Sequence, residues 1–291
     1  MRPAHLAFIA LIDLIWAFNI VAIKYAVEVV QPITAVLLRY AIVLLVCLPW
    51  LRWLPGRMGT ILITGVIGGA LYFGLGGISF AVADNVSALA IAGQLGVPFS
   101  LMLAVIFLKE RIHWPRIVGV TLAFGGVVIL GFDPAIVHER LGLALTVIAS
   151  FLWAVSSLLM RQLKGVPALT IHAWLALVSL PLLGIASLIY EPGELARVGQ
   201  LPVATVGWLA YSAIGASVVG HAGMSWLLQR YPVTVVSPLT LPTPLMSVGF
   251  GVIVLGTPLT PQMMLGGAVA LAGVAIITLR TARARMREER A

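Results

Sequence analysis

Residues 4–24, AHLAFIALIDLIWAFNIVAIK, form an apolar run interrupted in its interior only by Asp13 and Asn19. A helix of this length, rising ~1.5 Å per residue, covers the ~30 Å hydrocarbon layer of a bilayer. The run therefore reads as a transmembrane helix. Within it, Asp13-x-x-Trp16-x-x-Asn19 places a polar, an aromatic and a polar group on one side, drifting across an arc of ~120°. An acid near the middle of a span costs ~2.5–3.5 kcal/mol on insertion scales. Asp13 must accordingly be protonated, paired or facing water. Arg39 in the second apolar run and His221 in the eighth are its candidate partners.

Nine further runs follow, at about 33–51, 59–80, 87–108, 115–131, 141–160, 171–190, 205–228, 235–255 and 262–279. The composition agrees: 61% of the 291 residues are hydrophobic and 10% charged, whereas a soluble chain carries roughly 25% charged residues. The net charge of +8 does not indicate nucleic acid, because no basic patch is interleaved with aromatics. Instead the basic residues follow the connectors. Arg2, Arg52, Arg57, Lys109, Arg111, Arg116, Arg161, Lys164, Arg230 and the five arginines from Arg280 to Arg290 fall on the N-terminal side; only Lys24, Arg140 and Arg197 fall on the other. By the positive-inside rule both termini are cytoplasmic. Glu28, Asp84, Asp133, Glu139, Glu191 and Glu194 sit on the side poor in Lys and Arg.

The two halves match. Trp16 in Ile15-Trp16-Ala17 corresponds to Trp153 in Leu152-Trp153-Ala154 at an offset of 137. From the third run onward the offset is 147: Ile67-Gly68 with Ile214-Gly215, Gly76 with Gly223, Gly119 with Gly266, and Gly126 with Gly273. Five runs per half is an odd number, so the second half enters the bilayer from the other face. The expected fold is thus an all-α integral membrane protein with ten transmembrane helices arranged as two inverted five-helix repeats. Residues 1–136 form the first repeat and 137–280 the second, followed by a basic cytoplasmic tail at 281–291. Such repeats place a substrate site near the midplane between halves, pointed to by paired interrupted helices. Pro98 in the fourth run and Pro244 in the ninth, with Pro238 and Pro242 nearby, are such a pair, or else two packing kinks. The stripe recurs as Ser150-x-x-Trp153-x-x-Ser156, whose serines read more simply as hydrogen-bonding glue between helices.

Candidate lining residues are therefore Asp13, Trp16, Asn19, Arg39, Trp153, Ser156, His221 and the backbone around Pro98 and Pro244, with Tyr72 and Phe99 among the aromatics that accommodate a ring. His172 and His113 read as interfacial, and Cys47 as a packing residue. No GxxxxGK[ST], HExxH or Cys/His ligand cluster is present, so no cofactor or metal is expected. The bundle interior lacks clustered Lys and Arg, which disfavours polyanionic substrates; one acid, one arginine and several aromatics suit a neutral or zwitterionic solute.

Several of these residues carry a resemblance. Leu14-Ile15-Trp16-Ala17, Arg39-Tyr40, Pro98-Phe99, Phe107-Leu108-Lys109-Glu110-Arg111-Ile112 and Gly119 with Gly125-Gly126 recur in part as Trp153-Ala154, Pro244, Leu255-Gly256-Thr257-Pro258-Leu259-Thr260 and Gly266 with Gly273. Over essentially its whole length the chain resembles the drug/metabolite transporter superfamily in its ten-span form with two EamA-type domains. It departs where Thr257 stands opposite Glu110. The branch it most resembles is the bacterial inner-membrane exporters of aromatic and other amino acids. That resemblance implies alternating access, an amino-acid substrate held centrally, a lipid-bilayer partner and no enzymatic step. The rival readings are an exporter of another metabolite or drug, a channel or assembly subunit, and a membrane-embedded enzyme using Asp13, His221 and Arg39.

Overall fold

The computed structural model describes residues 1–109, 112–228, 230–231 and 233–288. Glu110 and Arg111, which belong to the motif leaving the fourth run, lie outside the described residues, as does the end of the basic tail. The described chain is helical throughout, with no strand.

Its helices are α1 (Pro3–Val27), α2 (Pro32–Trp50), α3 (Met58–Val82), α4 (Val86–Phe107), α5 (Trp114–Gly131), α6 (Arg140–Gln162), α7 (Ala168–Tyr190), α8 (Val203–Leu227), α9 (Val233–Leu239), α10 (Pro242–Leu255) and α11 (Pro261–Arg280). Among the described residues nine of these, all but α9 and α10, are long and apolar enough to cross a bilayer. Helix α10 has 14 residues, some 21 Å of rise, and falls short of the hydrocarbon thickness alone. It follows α9 after a two-residue turn at Thr240 and Leu241.

Helix partners are distributed in a regular way. Helix α1 packs on α8 and α10, while α6 packs on α3 and α4. Further contacts join α2 with α8, α3 with α7, α4 with α10, α9 with α11, α2 with α7 and, most extensively, α5 with α11. The last contact is glycine on glycine. A Cβ on Gly119 would lie 2.9 Å from the Gly273 carbonyl oxygen, and one on Gly266 would lie 2.7 Å from that of Gly126. In hydrocarbon no hydrophobic force drives two helices together, so close backbone approach over small residues supplies the packing energy.

Two irregularities recur 147 residues apart. Helices α3 and α8 each contain a π-helical stretch, Gly65–Leu71 and Tyr211–Ala222. Helix α4 tightens to a 3-10 turn at Gly93–Leu95, and the α9–α10 break falls at the corresponding place. Pro98 and Pro244 do not sit mid-helix: each is the third residue of the helix that resumes after the break, at Gly96 and at Pro242. A first-turn proline loses no hydrogen bond, because that N–H has no intrahelical acceptor. The prolines thus begin half-helices, and the interruption lies a few residues before each. Both half-helices end in left-handed residues at the same offset, Lys109 at φ 53° and Gly256 at φ 65°.

The acids on the face opposite the N-terminus serve helix starts. Glu191 accepts the N–H groups of Ile33 and Thr34, both at 2.8 Å, and the Thr34 hydroxyl at 2.7 Å, closing the N-terminus of α2. Glu139 accepts the N–H groups of Asp84 and Asn85 just before α4, each at 3.1 Å. Asp133 accepts the Thr260 hydroxyl just before α11. A carboxylate there meets unpaired N–H groups and the positive end of the helix dipole. Glu191→Gln puts an amide N–H₂ against donors. It should cost about 1–2 kcal/mol and lower the thermal midpoint of the detergent-purified protein; an unchanged midpoint would remove the clamp from the account.

Candidate functional site

Seven helices converge on a group of rings. Trp16 extends from α1 to α8, where its indole N–H donates to the Ala216 carbonyl at 3.1 Å within the π-helical stretch. The close approach requires Gly220, since a Cβ there would collide with the indole. His221, at the end of the same stretch, lies 5.1 Å from Trp16 and 5.8 Å from Trp153 of α6, centroid to centroid. His172 of α7 stacks on His221 at 5.6 Å with 29° between planes. Trp153 in turn lies 5.1 Å from Tyr72 of α3, and Gly96 of α4 keeps room for its ring. Arg39 of α2 closes the group, its guanidinium 4.4 Å above the Phe73 ring beside Tyr72.

The two tryptophans of the duplicated stripe therefore meet, through His221, at the centre. His172 belongs with them and is not interfacial. Its signal was a histidine inside the apolar stretch Ile171-His172-Ala173, where an ionisable side chain facing lipid would be expensive.

Other expectations need changing. Asp13, 4% exposed, pairs with neither Arg39 nor His221; it accepts the Thr243 hydroxyl at 2.9 Å. This bond ties α1 to the first turn of α10, beside Pro244. Arg39, also 4% exposed, donates from Nε and Nη2 to the Ser217 hydroxyl of α8 at 3.1 and 2.8 Å. Phe99 packs with Phe124 and Phe151 in a separate aromatic set between α4, α5 and α6. Pro98 is buried in the first turn of its half-helix. Ser150 bonds to the carbonyls of Thr146 and Gly93, joining α6 to the 3-10 turn. Ser156 is fully buried and fits against the bare backbone of Gly68. The Oδ1 of Asn19 and the Oγ of Ser156, at matching positions of the stripe, have no hydrogen-bond partner.

The two faces of the bundle differ around this centre. On the N-terminal face a cavity of about 700 Å³ opens between the ends of α1, α2, α7 and α8, lined by His5, Phe8, Trp50, Leu169, Ala222 and Trp226 among others. Ala222 follows His221 directly in sequence, and Leu169 lies one helical turn before His172. On the opposite face Lys24, near the end of α1, holds the end of α3. Its ammonium donates to the Ala83 carbonyl at 2.7 Å and lies 3.8 Å from the Asp84 carboxylate.

A many-helix membrane bundle with broken helices around a lined centre is the architecture of a membrane transporter. The comparisons with known proteins say the same, and the chain belongs to the EamA-like transporter family, which matches residues 4–132 and 140–279. It is a transporter and not an enzyme. Among its relatives, a "probable amino-acid metabolite efflux pump" of Escherichia coli is 26% identical over 277 residues, 91% of this chain and 92% of that protein. An "uncharacterized transporter" of Archaeoglobus fulgidus is 26% identical over 280 residues, 92% and 96% of the two chains. A "probable terminal-alkyne amino-acid exporter" of Streptantibioticus cattleyicolor is 26% identical over 190 residues, 63% of this chain and 61% of that one. A crystal structure at 19% identity superposes with a TM-score of 0.63, covering 97% of this chain and 99% of the other, which shows the shared fold.

Proposed function

We propose that this protein is a secondary transporter of the bacterial inner membrane that exports small zwitterionic metabolites, amino acids with aromatic side chains among them, by alternating access. Its termini face the cytoplasm. In this reading α9 and α10 make one broken span, giving ten spans as two inverted repeats, 1–136 and 137–280. Support comes from the pairing of helices: α1 on α8 and α10 is the counterpart of α6 on α3 and α4, while α2–α7 and α5–α11 are self-paired. The matched π-helical stretches and helix breaks point the same way.

The observation that carries the transport role is the convergence of Trp16, Tyr72, Trp153, His172 and His221 at the seam between the halves. Flat rings with polar edges accommodate an aromatic or aliphatic side chain while Arg39 supplies charge. Asp13, Asn19, Ser156 and the half-helix starts at Pro98 and Pro244 frame the chamber. The cavity on the N-terminal face gives cytoplasmic solute its way in, and the Lys24 tether closes the other face. The two names of amino-acid exporters among the relatives are consistent with this substrate class.

Reconstitution tests it. Proteoliposomes should show saturable uptake and counterflow of labelled phenylalanine, threonine or methionine. Flux of none of the three would sink the substrate assignment. Flux that does not saturate would instead indicate a channel.

A further inference from the structure

Among the described residues Arg39 is the one Lys or Arg buried in the interior of a membrane-crossing helix, Arg116 being in the first turn of α5, and it has no salt-bridge counter-ion. Asp13, the only acid inside a membrane-crossing helix among them, is engaged with Thr243. The other described acids lie at helix ends, in connectors or in the tail. A buried guanidinium without a carboxylate is among the costliest arrangements a protein keeps, and in hydrocarbon there is no water shell to replace the missing anion.

The geometry shows which edge is free. Nε and Nη2 of Arg39 share one acceptor, the Ser217 oxygen. That oxygen is fixed in turn, because the Ser217 hydroxyl donates to the Ser212 carbonyl at 3.3 Å within the π-helical stretch. Phe73 covers one face of the guanidinium. Nη1 and the second hydrogen of Nη2 have no acceptor among the described residues, and that edge presents the parallel pair of donors that matches a carboxylate. Phe73 lies 4.6 Å from Tyr72, which lies 5.1 Å from Trp153, so the guanidinium sits at the margin of the ring cluster.

We propose that the Nη1–Nη2 edge of Arg39 receives the carboxylate of the transported molecule, oriented by Ser217 and Phe73. The substrate class is therefore narrowed to compounds with a free carboxylate next to an apolar or aromatic group. Amines and esters of the same shape leave the arginine unpaired and are rejected. This assignment rests on the ring chamber being the transport site.

Calorimetric titration of the detergent-purified full-length protein tests it with L-phenylalanine, 3-phenylpropionate, L-phenylalanine methyl ester and 2-phenylethylamine. Both carboxylates should bind at least tenfold more tightly than the ester and the amine. Arg39→Gln should erase that discrimination and Ser217→Ala should reduce it. The wild-type comparison of acid with ester decides the matter even if a variant proves unstable. Ester and acid binding within threefold of each other, an acid preference that survives Arg39→Gln, or no binding of either carboxylate would each overturn the assignment. If phenylalanine crosses liposomes but the ester competes equally, only the carboxylate assignment falls. Arg39-dependent binding without any flux would remove the transport reading and keep the receptor.

Discussion

Gly126→Val should abolish recovery of folded, monodisperse protein, whereas Gly125→Ala, one residue away, should leave it intact or slightly stabilised. Any side chain on Gly126 starts with a Cβ 2.7 Å from the Ala270 methyl, and closer still to the Gly266 carbonyl and the Ala270 nitrogen. Two of those three neighbours are backbone, which cannot rotate away. The helices α5 and α11 must then separate along their whole crossing. That forfeits the close packing of the two helices and strains the bond from the Gln262 amide to the Ile129 carbonyl that joins them. Overpacking typically costs ~1–3 kcal/mol when side chains can give way; here they cannot, so the cost should sit at or above the top of that range.

A Cβ on Gly125 meets nothing within 4 Å, and an exposed helical Gly→Ala gains ~0.5–1 kcal/mol. Gly273→Val should reproduce the Gly126→Val failure, because its Cβ would lie 2.5 Å from the Ala123 nitrogen and the Gly119 carbonyl oxygen. Size-exclusion profiles and thermal midpoints of the three variants settle the point. Normal behaviour of Gly126→Val would mean that the α5–α11 crossing is not a backbone contact.

These glycines show how far a sequence can speak. Gly119, Gly126, Gly266 and Gly273 were visible as a repeat because a fixed offset is a property of the chain alone. That they touch one another is a property of the assembled bundle. The spans were legible for the same reason as the offset: length, apolarity and connector charge are local. The break between α9 and α10 was legible only as prolines. Pro242 and Pro244 mark where the half-helix resumes rather than where the chain breaks, since a proline costs nothing in a first turn, while Pro238 lies inside α9 before the break. The π-helical stretches left no trace, because moving a hydrogen bond from i+4 to i+5 needs no particular residue.

Partners across the bundle were the least legible. Asp13 and Thr243 are 230 positions apart, and nothing in either neighbourhood announces the bond. Opposite charge made Arg39 the natural guess for Asp13, yet helix α1 turns its acid toward α10, while α2 turns its arginine toward α8. Glu191 and Glu139 counted in the sequence only as charge on one side. Their work as helix clamps depends on which N-terminus comes within reach.

Trp16→Ala and Trp153→Ala should each lower kcat/KM for phenylalanine transport at least tenfold in proteoliposomes, with Trp→Phe at either position within about threefold of wild type. A tenfold loss corresponds to about 1.4 kcal/mol of lost binding, modest for an indole packed against one ring at Trp16 and two at Trp153. Trp153 contacts Tyr72 and His221; Trp16 contacts His221 and also donates to the Ala216 carbonyl, so Trp16→Ala should be the more damaging. Folding should suffer less than transport, for a physical reason. The lining of the N-terminal cavity reaches Ala222, next to His221 in sequence, so in this reading water enters the space the indole leaves instead of a dry void forming. Phenylalanine keeps the flat apolar face and loses only the indole N–H, so Trp16→Phe also isolates the worth of the Ala216 bond. Equal and normal transport by both alanine variants would move the substrate site away from the ring chamber. Loss in only one would place substrate in contact with that half alone.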